Sequence, residues 1–302
     1  MAKFKYYLKS MRLRTLPLSL AGVLMGSLLA VADYKVPAAV VLLVCLTTVL
    51  LQILSNLSNE LGDVMHGTDN AGRVGPEYGL NSGMLTVGQI KGCIGIILSL
   101  CIASGLVMIW VSFGTLFCME SLILIVLGAA AIFAAMRYTL GRNPYGYRAL
   151  GDLFVFVFFG QVAVLGAYFM CAHTLHGWLL LLPASAIGFF SVGVLNVNNI
   201  RDMKTDAPNR VTVAIKLGLH KARIYQTVLI ALGWACMIVY SALRFPDWRH
   251  WLFVLSLPLF IMHLRGVWAH EEGALDKYLP MLVMASFLFS ILAGIGYTAY
   301  LW

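Results

Sequence analysis

Asn198, Asp202 and Asp206 are spaced i, i+4, i+8, so on a continuing helix they share one face, drifting about 40° per step. They arrive abruptly, because residues 153–197 contain no Asp, Glu, Lys or Arg. Asn59 and Asp63 repeat the i, i+4 spacing at the end of an earlier apolar run, with Asp69 further on beyond Gly67. Carboxylates and amide oxygens suit hard cations, and Mg²⁺ commonly takes one or two protein carboxylates together with substrate phosphate oxygens. A single cluster would read as an ordinary polar helix cap. Two of them, each just beyond an apolar run, favour a shared cation site. Acids at the C-terminal ends of helices oppose the macrodipole, so a cation is expected beside them.

Basic residues lie close in sequence: Arg73, Lys91, Arg137, Arg142, Arg201 and Lys204. Arginine forks match phosphate oxygens bidentately, and with Mg²⁺ they could hold a diphosphate and stabilise its charge as it leaves. Many of these cations also serve topology.

The elements that must carry these residues follow from composition. The chain of 302 residues is 61% hydrophobic and 11% charged, against about 25% charged in a soluble domain. Apolar blocks of about 20 residues match the hydrocarbon thickness of a bilayer. The expected fold is all-α, a polytopic membrane protein with nine transmembrane helices in a single domain, 1–302. The spans are expected near 15–32, 38–58, 93–112, 118–136, 151–172, 177–197, 224–243, 250–268 and 279–301. With the N-terminus in the cytoplasm, all but Lys35, Arg244 and Arg249 of the 21 Lys and Arg fall on the cytoplasmic side, as the positive-inside rule requires. Both acid clusters then face the cytoplasm. The net charge of +8 is thereby read as topology, with no nucleic-acid partner needed.

Spans 1–4 and 5–8 each carry an acid cluster at the cytoplasmic end of their second helix, with span 9 extra. The long polar connections 60–92 and 199–222 are expected to be ordered caps. Gly22 and Gly26 form a small-xxx-small packing pattern, which alone is no argument for a dimer. The six cysteines are scattered through apolar segments without a C-x-x-C pair and read as small buried hydrophobes. A membrane site for Mg²⁺ and diphosphate implies one substrate class, a lipid diphosphate whose tail lies between the helices.

Over almost its whole length the chain resembles the UbiA superfamily of intramembrane prenyltransferases. The residues that carry the likeness are Asn59, Asp63 and Asp69, then Asn198, Asp202 and Asp206, continuing as Arg210-Val-Thr-Val-Ala-Ile-Lys-Leu-Gly218. Arg14-Thr-Leu-Pro17, Arg73-Val-Gly-Pro76, Tyr138 through Tyr147, Leu150-Gly-Asp152 and Asn198-Asn-Ile-Arg-Asp202 are most similar to the branch acting on 1,4-dihydroxy-2-naphthoate in menaquinone biosynthesis. The resemblance implies nine helices in a bacterial cytoplasmic (inner) membrane, lipid-embedded, with polyprenyl diphosphate and 1,4-dihydroxy-2-naphthoate as substrates. The expected products are CO₂, diphosphate and demethylmenaquinone, formed initially as its quinol.

It implies Mg²⁺ ligation by Asp63, Asp69, Asn198, Asp202 and Asp206, with Asp63, Asp202 and Asp206 central to catalysis. Asn59, Asp69, Arg73, Asn198, Asn199 and Lys204 are expected at the diphosphate. Arg137, Tyr138, Arg142, Asn143 and Tyr145 are expected toward the substrates from the loop between spans 4 and 5. Glu60 stands where the family usually has Asp, which puts its carboxylate on a longer arm and leaves its role open. Sister acceptors such as 4-hydroxybenzoate or homogentisate are the nearest alternatives. A secondary transporter is a further one, although it would place ionisable groups near the bilayer midplane. Here the notable polar residues of the span interiors are only Gln52, Asn56 and Gln161.

Overall fold

The computed structural model describes residues 2–67, 76–175, 177–208, 210–244 and 247–301. Nine helices among them are long and apolar enough to cross a membrane. They are α1 (Lys3–Asp33), α2 (Ala38–Met65), α3 (Val87–Phe113), α4 (Met119–Arg137), α5 (Gly151–Ala172), α6 (Trp178–Arg201), α7 (Leu219–Leu243), α8 (Trp248–Ala269) and α9 (Glu272–Thr298). No strand occurs among the described residues, only an isolated bridge between Arg148 and Val211. The chain is a multi-pass membrane protein.

The boundaries show where polarity misleads. α3 starts at Val87, before the expected 93, because Thr86 and Gln89 form a capping box that satisfies the first-turn N–H groups. α2 runs on through its polar end to Met65. The first acid cluster therefore sits inside a helix, with Asn59 and Asp63 one turn apart. The second cluster departs from a single continuous helix. The helix breaks at Asp202, whose φ and ψ are −93° and 5°, and a short helix Met203–Asp206 follows. Main-chain bonds from Asp202 N–H to Asn198 O and from Asp206 N–H to Asp202 O bridge the break, so the three residues keep their stacked register.

Packing explains the small residues. A β-carbon on Gly22 would lie 2.7 Å from the Phe159 carbonyl oxygen, and one on Gly26 would lie 2.1 Å from that of Val164. The pair is thus the close contact of α1 with α5, within one chain. Around Gly160, residues Phe156–Val162 of α5 form a π-helix, where Gly160 packs against Ala184 and Gly188 of α6. At the bundle end away from the acid clusters, Asp33 of α1 pairs with Arg244 and accepts from Tyr168 Oη of α5 at 3.0 Å. Arg244 also donates to Tyr240 Oη at 2.7 Å, fixing the close of α7 to the other two helices.

The polar residues inside the spans are held as well. Ser19 Oγ donates to Gln52 at 2.6 Å, Gln52 donates to Asn56, and Asn56 donates to Met11 O and Thr15 Oγ1. The six cysteines are free thiols. Replacing Gly26 by Val should destabilise the fold by about 1–3 kcal/mol through overpacking. Gly95→Ala, inside α3 with no atom near its would-be β-carbon, should leave stability unchanged or raise it by up to about 1 kcal/mol. Thermal melts in detergent check both, and equal melting temperatures would contradict the α1–α5 contact.

Candidate active site

The first motif is positioned by a close approach. Gly62 lies between Asn59 and Asp63 and faces Thr139, whose Oγ1 would be 2.5 Å from any β-carbon there. Only glycine lets the loop after α4 settle on α2. Thr139 Oγ1 then donates to Ser58 O at 3.1 Å and to Asn59 Oδ1 at 3.2 Å. Asp63 is buried and accepts from Tyr147 Oη at 2.8 Å.

The second motif carries its own cations. Asp202, 2% exposed, receives a bidentate fork from Arg201: Nε to Oδ1 at 2.8 Å and Nη2 to Oδ2 at 2.6 Å. Arg201 Nη2 also donates to Asn198 Oδ1 at 3.0 Å, and Nη1 donates to Asp276 at 2.5 Å. Asp276 pairs in addition with Arg14 at 3.4 Å. Asp206 pairs with Arg210. Burial pushes the Asp206 carboxyl above its ordinary range, opposed by Arg210 and reinforced by the charges of Asp202 and Asp63. The cations required at these helix ends are therefore Arg201 and Arg210.

Two loops close the mouth. Ala149 N–H donates to Val211 O at 2.9 Å and Val211 N–H donates to Tyr147 O at 3.1 Å. This tie places the Arg210 guanidinium 5.9 Å from the Tyr147 ring, within the electrostatic reach of both Asp206 and Asp63. The two motifs thus meet at one place.

Below the mouth opens a cavity of about 430 Å³. Asn59, Asp63, Tyr138, Asn198, Asn199 and Arg210 border its polar end, and Val44, Met108, Ile109 and Met170 line its apolar depth. Asn59 and Val44 are 15 positions apart on α2, about 22 Å along a helix. One wall is an aromatic ladder. Tyr138 meets Tyr145 edge-on at 5.4 Å, Tyr145 stacks on Phe154 at 4.0 Å, and Phe154 on Phe158 at 6.1 Å. Tyr138 is half-buried, and desolvation of its hydroxyl among the surrounding groups pushes it up to about 12.

The expected residues divide into three groups. Asn59, Asp63, Tyr138, Tyr145, Asn198 and Asn199 line the cavity; Asp202 and Asp206 stand behind the mouth, buried with their arginines. Arg137, Arg142, Asn143 and Lys204 are not among the lining residues. Arg142 and Asn143 are exposed, and Lys204, off the Asp202–Asp206 face, reaches solvent and pairs with Glu272 at 3.2 Å. Asp69 and Arg73 lie outside the described residues. Glu60 is fully buried, with Oε1 accepting from Leu80 N–H at 2.7 Å; it anchors the loop after α2. Tyr147 and Arg210 are legible in the sequence only as parts of longer motifs. Arg12 and Arg14 also line the cavity; in the sequence Arg12 stands only among the topology charges, and Arg14 also opens the Arg14-Thr-Leu-Pro17 segment.

Comparison with known proteins agrees with this fold. Residues 19–287 match the model of the UbiA prenyltransferase family. The chain belongs to that family. The 1,4-dihydroxy-2-naphthoate octaprenyltransferase of Escherichia coli is 36% identical over 96% of this chain and 94% of its own. Among solved structures, an apo UbiA homolog from Aeropyrum pernix superposes with a TM-score of 0.69 at 14% identity, covering 97% of this chain and 98% of its own. A UbiA homolog from Archaeoglobus fulgidus bound to DMAPP and Mg²⁺ gives 0.64 at 14% identity, covering 97% and 99%. The two structures share the fold.

In this UbiA-family chain the donor set fits Mg²⁺ chemically, since Asn59, Asp63, Asn198, Asp202 and Asp206 offer only hard oxygens. Guanidinium groups and a phenol now hold three of the carboxylates, and no three His, Cys, Asp or Glu among the described residues form a ready cage. Tyr147→Phe should lower turnover roughly tenfold, the scale of one hydrogen bond to a charged group, and lower the melting temperature while the protein still folds. Wild-type turnover in that variant would remove Tyr147 from the site.

Proposed function

We propose that the protein transfers a polyprenyl group from polyprenyl diphosphate to the ring of 1,4-dihydroxy-2-naphthoate, releasing diphosphate and CO₂. The observation that carries this reading is the meeting of two Asn-x-x-x-Asp faces at the polar mouth of one long apolar cavity. The naphthoate acceptor is supported by 36% identity to the E. coli relative across nearly the whole chain. Mg²⁺ is supported by the Archaeoglobus homolog, which was solved with DMAPP and Mg²⁺ bound. The positive-inside bias supports a cytoplasmic mouth in the inner membrane, with the chain acting as one membrane domain.

In the reaction, Asp63, Asp69, Asn198, Asp202 and Asp206 would hold Mg²⁺. When bound, the ion supplies charge neutralisation of the diphosphate leaving group. Arg210 donates to phosphate oxygens at the mouth, and Asn59 and Asn199 orient the head group. The prenyl tail lies along the apolar wall toward Met108 and Met170, where water is excluded from the developing allylic cation. The faces of Tyr138, Tyr145 and Phe154 stabilise that cation and pack against the planar naphthalene ring. The ring carbon attacks the allylic carbon as the C–O bond to diphosphate breaks, and loss of the carboxylate as CO₂ returns the electron pair to the ring.

Purified protein should form prenylated product from 1,4-dihydroxy-2-naphthoate and farnesyl diphosphate only with Mg²⁺ or a similar cation. Undiminished product under EDTA would sink the metal role. Asp63→Ala and Asp202→Asn should each abolish turnover while the protein still folds. Mass spectrometry of quinones after gene loss identifies the acceptor: accumulation of a hydroxybenzoate instead of a naphthoate would replace the reading with the sister reaction.

A further inference from the structure

We propose that Arg12 is an oxyanion-binding residue of the cavity, held unpaired by its backbone and by Tyr78 until a carboxylate or diphosphate oxygen arrives. Arg12 has φ 49° and ψ 50°, the left-handed region that non-glycine residues occupy at a cost. The turn is fixed by Arg12 N–H donating to Lys9 O at 3.0 Å and by Thr15 N–H and Oγ1 both donating to Arg12 O at 2.9 Å. It directs the side chain over the buried Tyr78 ring, with Cζ 4.3 Å from the centroid.

There two of its donor groups are desolvated but unsatisfied, although the residue as a whole is half-buried. Nε and Nη2 are sealed from solvent and have no hydrogen-bond partner. Arg201 and Arg210, by contrast, each hold a carboxylate. Arg12 borders the main cavity together with Asn59, Asp63 and Arg210. It also borders a smaller one of about 240 Å³, shared with Lys9, Arg14, Glu77 and Tyr78. The residue stands between an antechamber and the reaction chamber. Buried donors without a partner are costly, and a guanidinium fork matches a carboxylate or a phosphate edge. Strain retained in the backbone to hold such a group points to ligand binding rather than packing.

Both substrates of the proposed reaction carry such an oxyanion, and the choice of probes rests on that reading. Titration calorimetry of the full chain in nanodiscs would use 1-hydroxy-2-naphthoate, a stable acceptor analogue, and geranyl thiodiphosphate with Mg²⁺. Arg12→Gln should weaken one probe by about 10- to 100-fold and leave the other within about twofold. If the acceptor carboxylate is the ligand, wild type prefers 1-hydroxy-2-naphthoate to 1-naphthol and R12Q loses that preference. If diphosphate is the ligand, only the thiodiphosphate weakens.

Arg12→Lys should fall between wild type and R12Q. Arg12→Gly relieves the positive φ and should melt at or above the wild-type temperature while losing the same affinity. If R12Q fails to fold, R12K and R12G carry the test. Both probes binding all variants within about twofold of wild type would overturn the assignment. So would an R12G that melts far lower and loses both probes alike. Wild-type protein that binds neither probe overturns the proposed substrates, and this assignment with them.

Discussion

The structure depends on one electrostatic constraint: carboxylates are buried where an apolar bundle meets its polar mouth, and each must be held there. An unpaired buried carboxylate would cost several kcal/mol. Asp202 is answered by Arg201, Asp206 by Arg210, and Asp63 by the Tyr147 hydroxyl. The partners bring further elements with them. Arg201 reaches Asp276 in α9, and Asp276 reaches Arg14 in α1, so the end of α6 is linked through charge to the entrances of two other helices. Substrate chemistry and bundle assembly therefore draw on the same side chains.

Much of this was legible in the sequence because hydrophobic length and charge bias act over many residues. Nine spans and the small-residue contact of α1 follow from such long signals. The i, i+4 spacing of Asn59 and Asp63 was legible too, because a helix fixes which residues share a face. What escaped was decided by single side chains acting through tertiary contacts. The cap at Thr86 moved the start of α3, and α6 ends at Asp202 where periodicity alone would have continued the helix, although its three motif residues keep their register. Lys204 shows the same limit: proximity in sequence to Asp202 and Asp206 says nothing of a position off their face. Arg12 shows it in the opposite sense, since a residue among many topological cations is singled out only by its dihedral angle and its empty donors.

The polar residues within the spans also change meaning once seen in place. Gln52 and Asn56 form a relay with Ser19 and Thr15 that knits α1 to α2. Gln161 Nε2 donates to Ser185 Oγ of α6 at 3.1 Å within the π-helical part of α5. These groups are engaged in helix contacts, which answers the structural question that a transport pathway would have raised.

The small tie between the chain around Ala149 and Val211 has an evolutionary consequence. Its two hydrogen bonds run from main chain to main chain, so they do not depend on the side chain of Val211, although they require Ala149 to hold φ 57°. Val211 can therefore change its side chain without loss of the tie, whereas Ala149, at that positive φ, is closed to β-branched residues, and Tyr147 and Arg210, which the tie brings to Asp63 and Asp206, are needed there. The join works as a pin made of peptide alone, so a substitution at Val211 would alter the loop surface without moving the charges beneath.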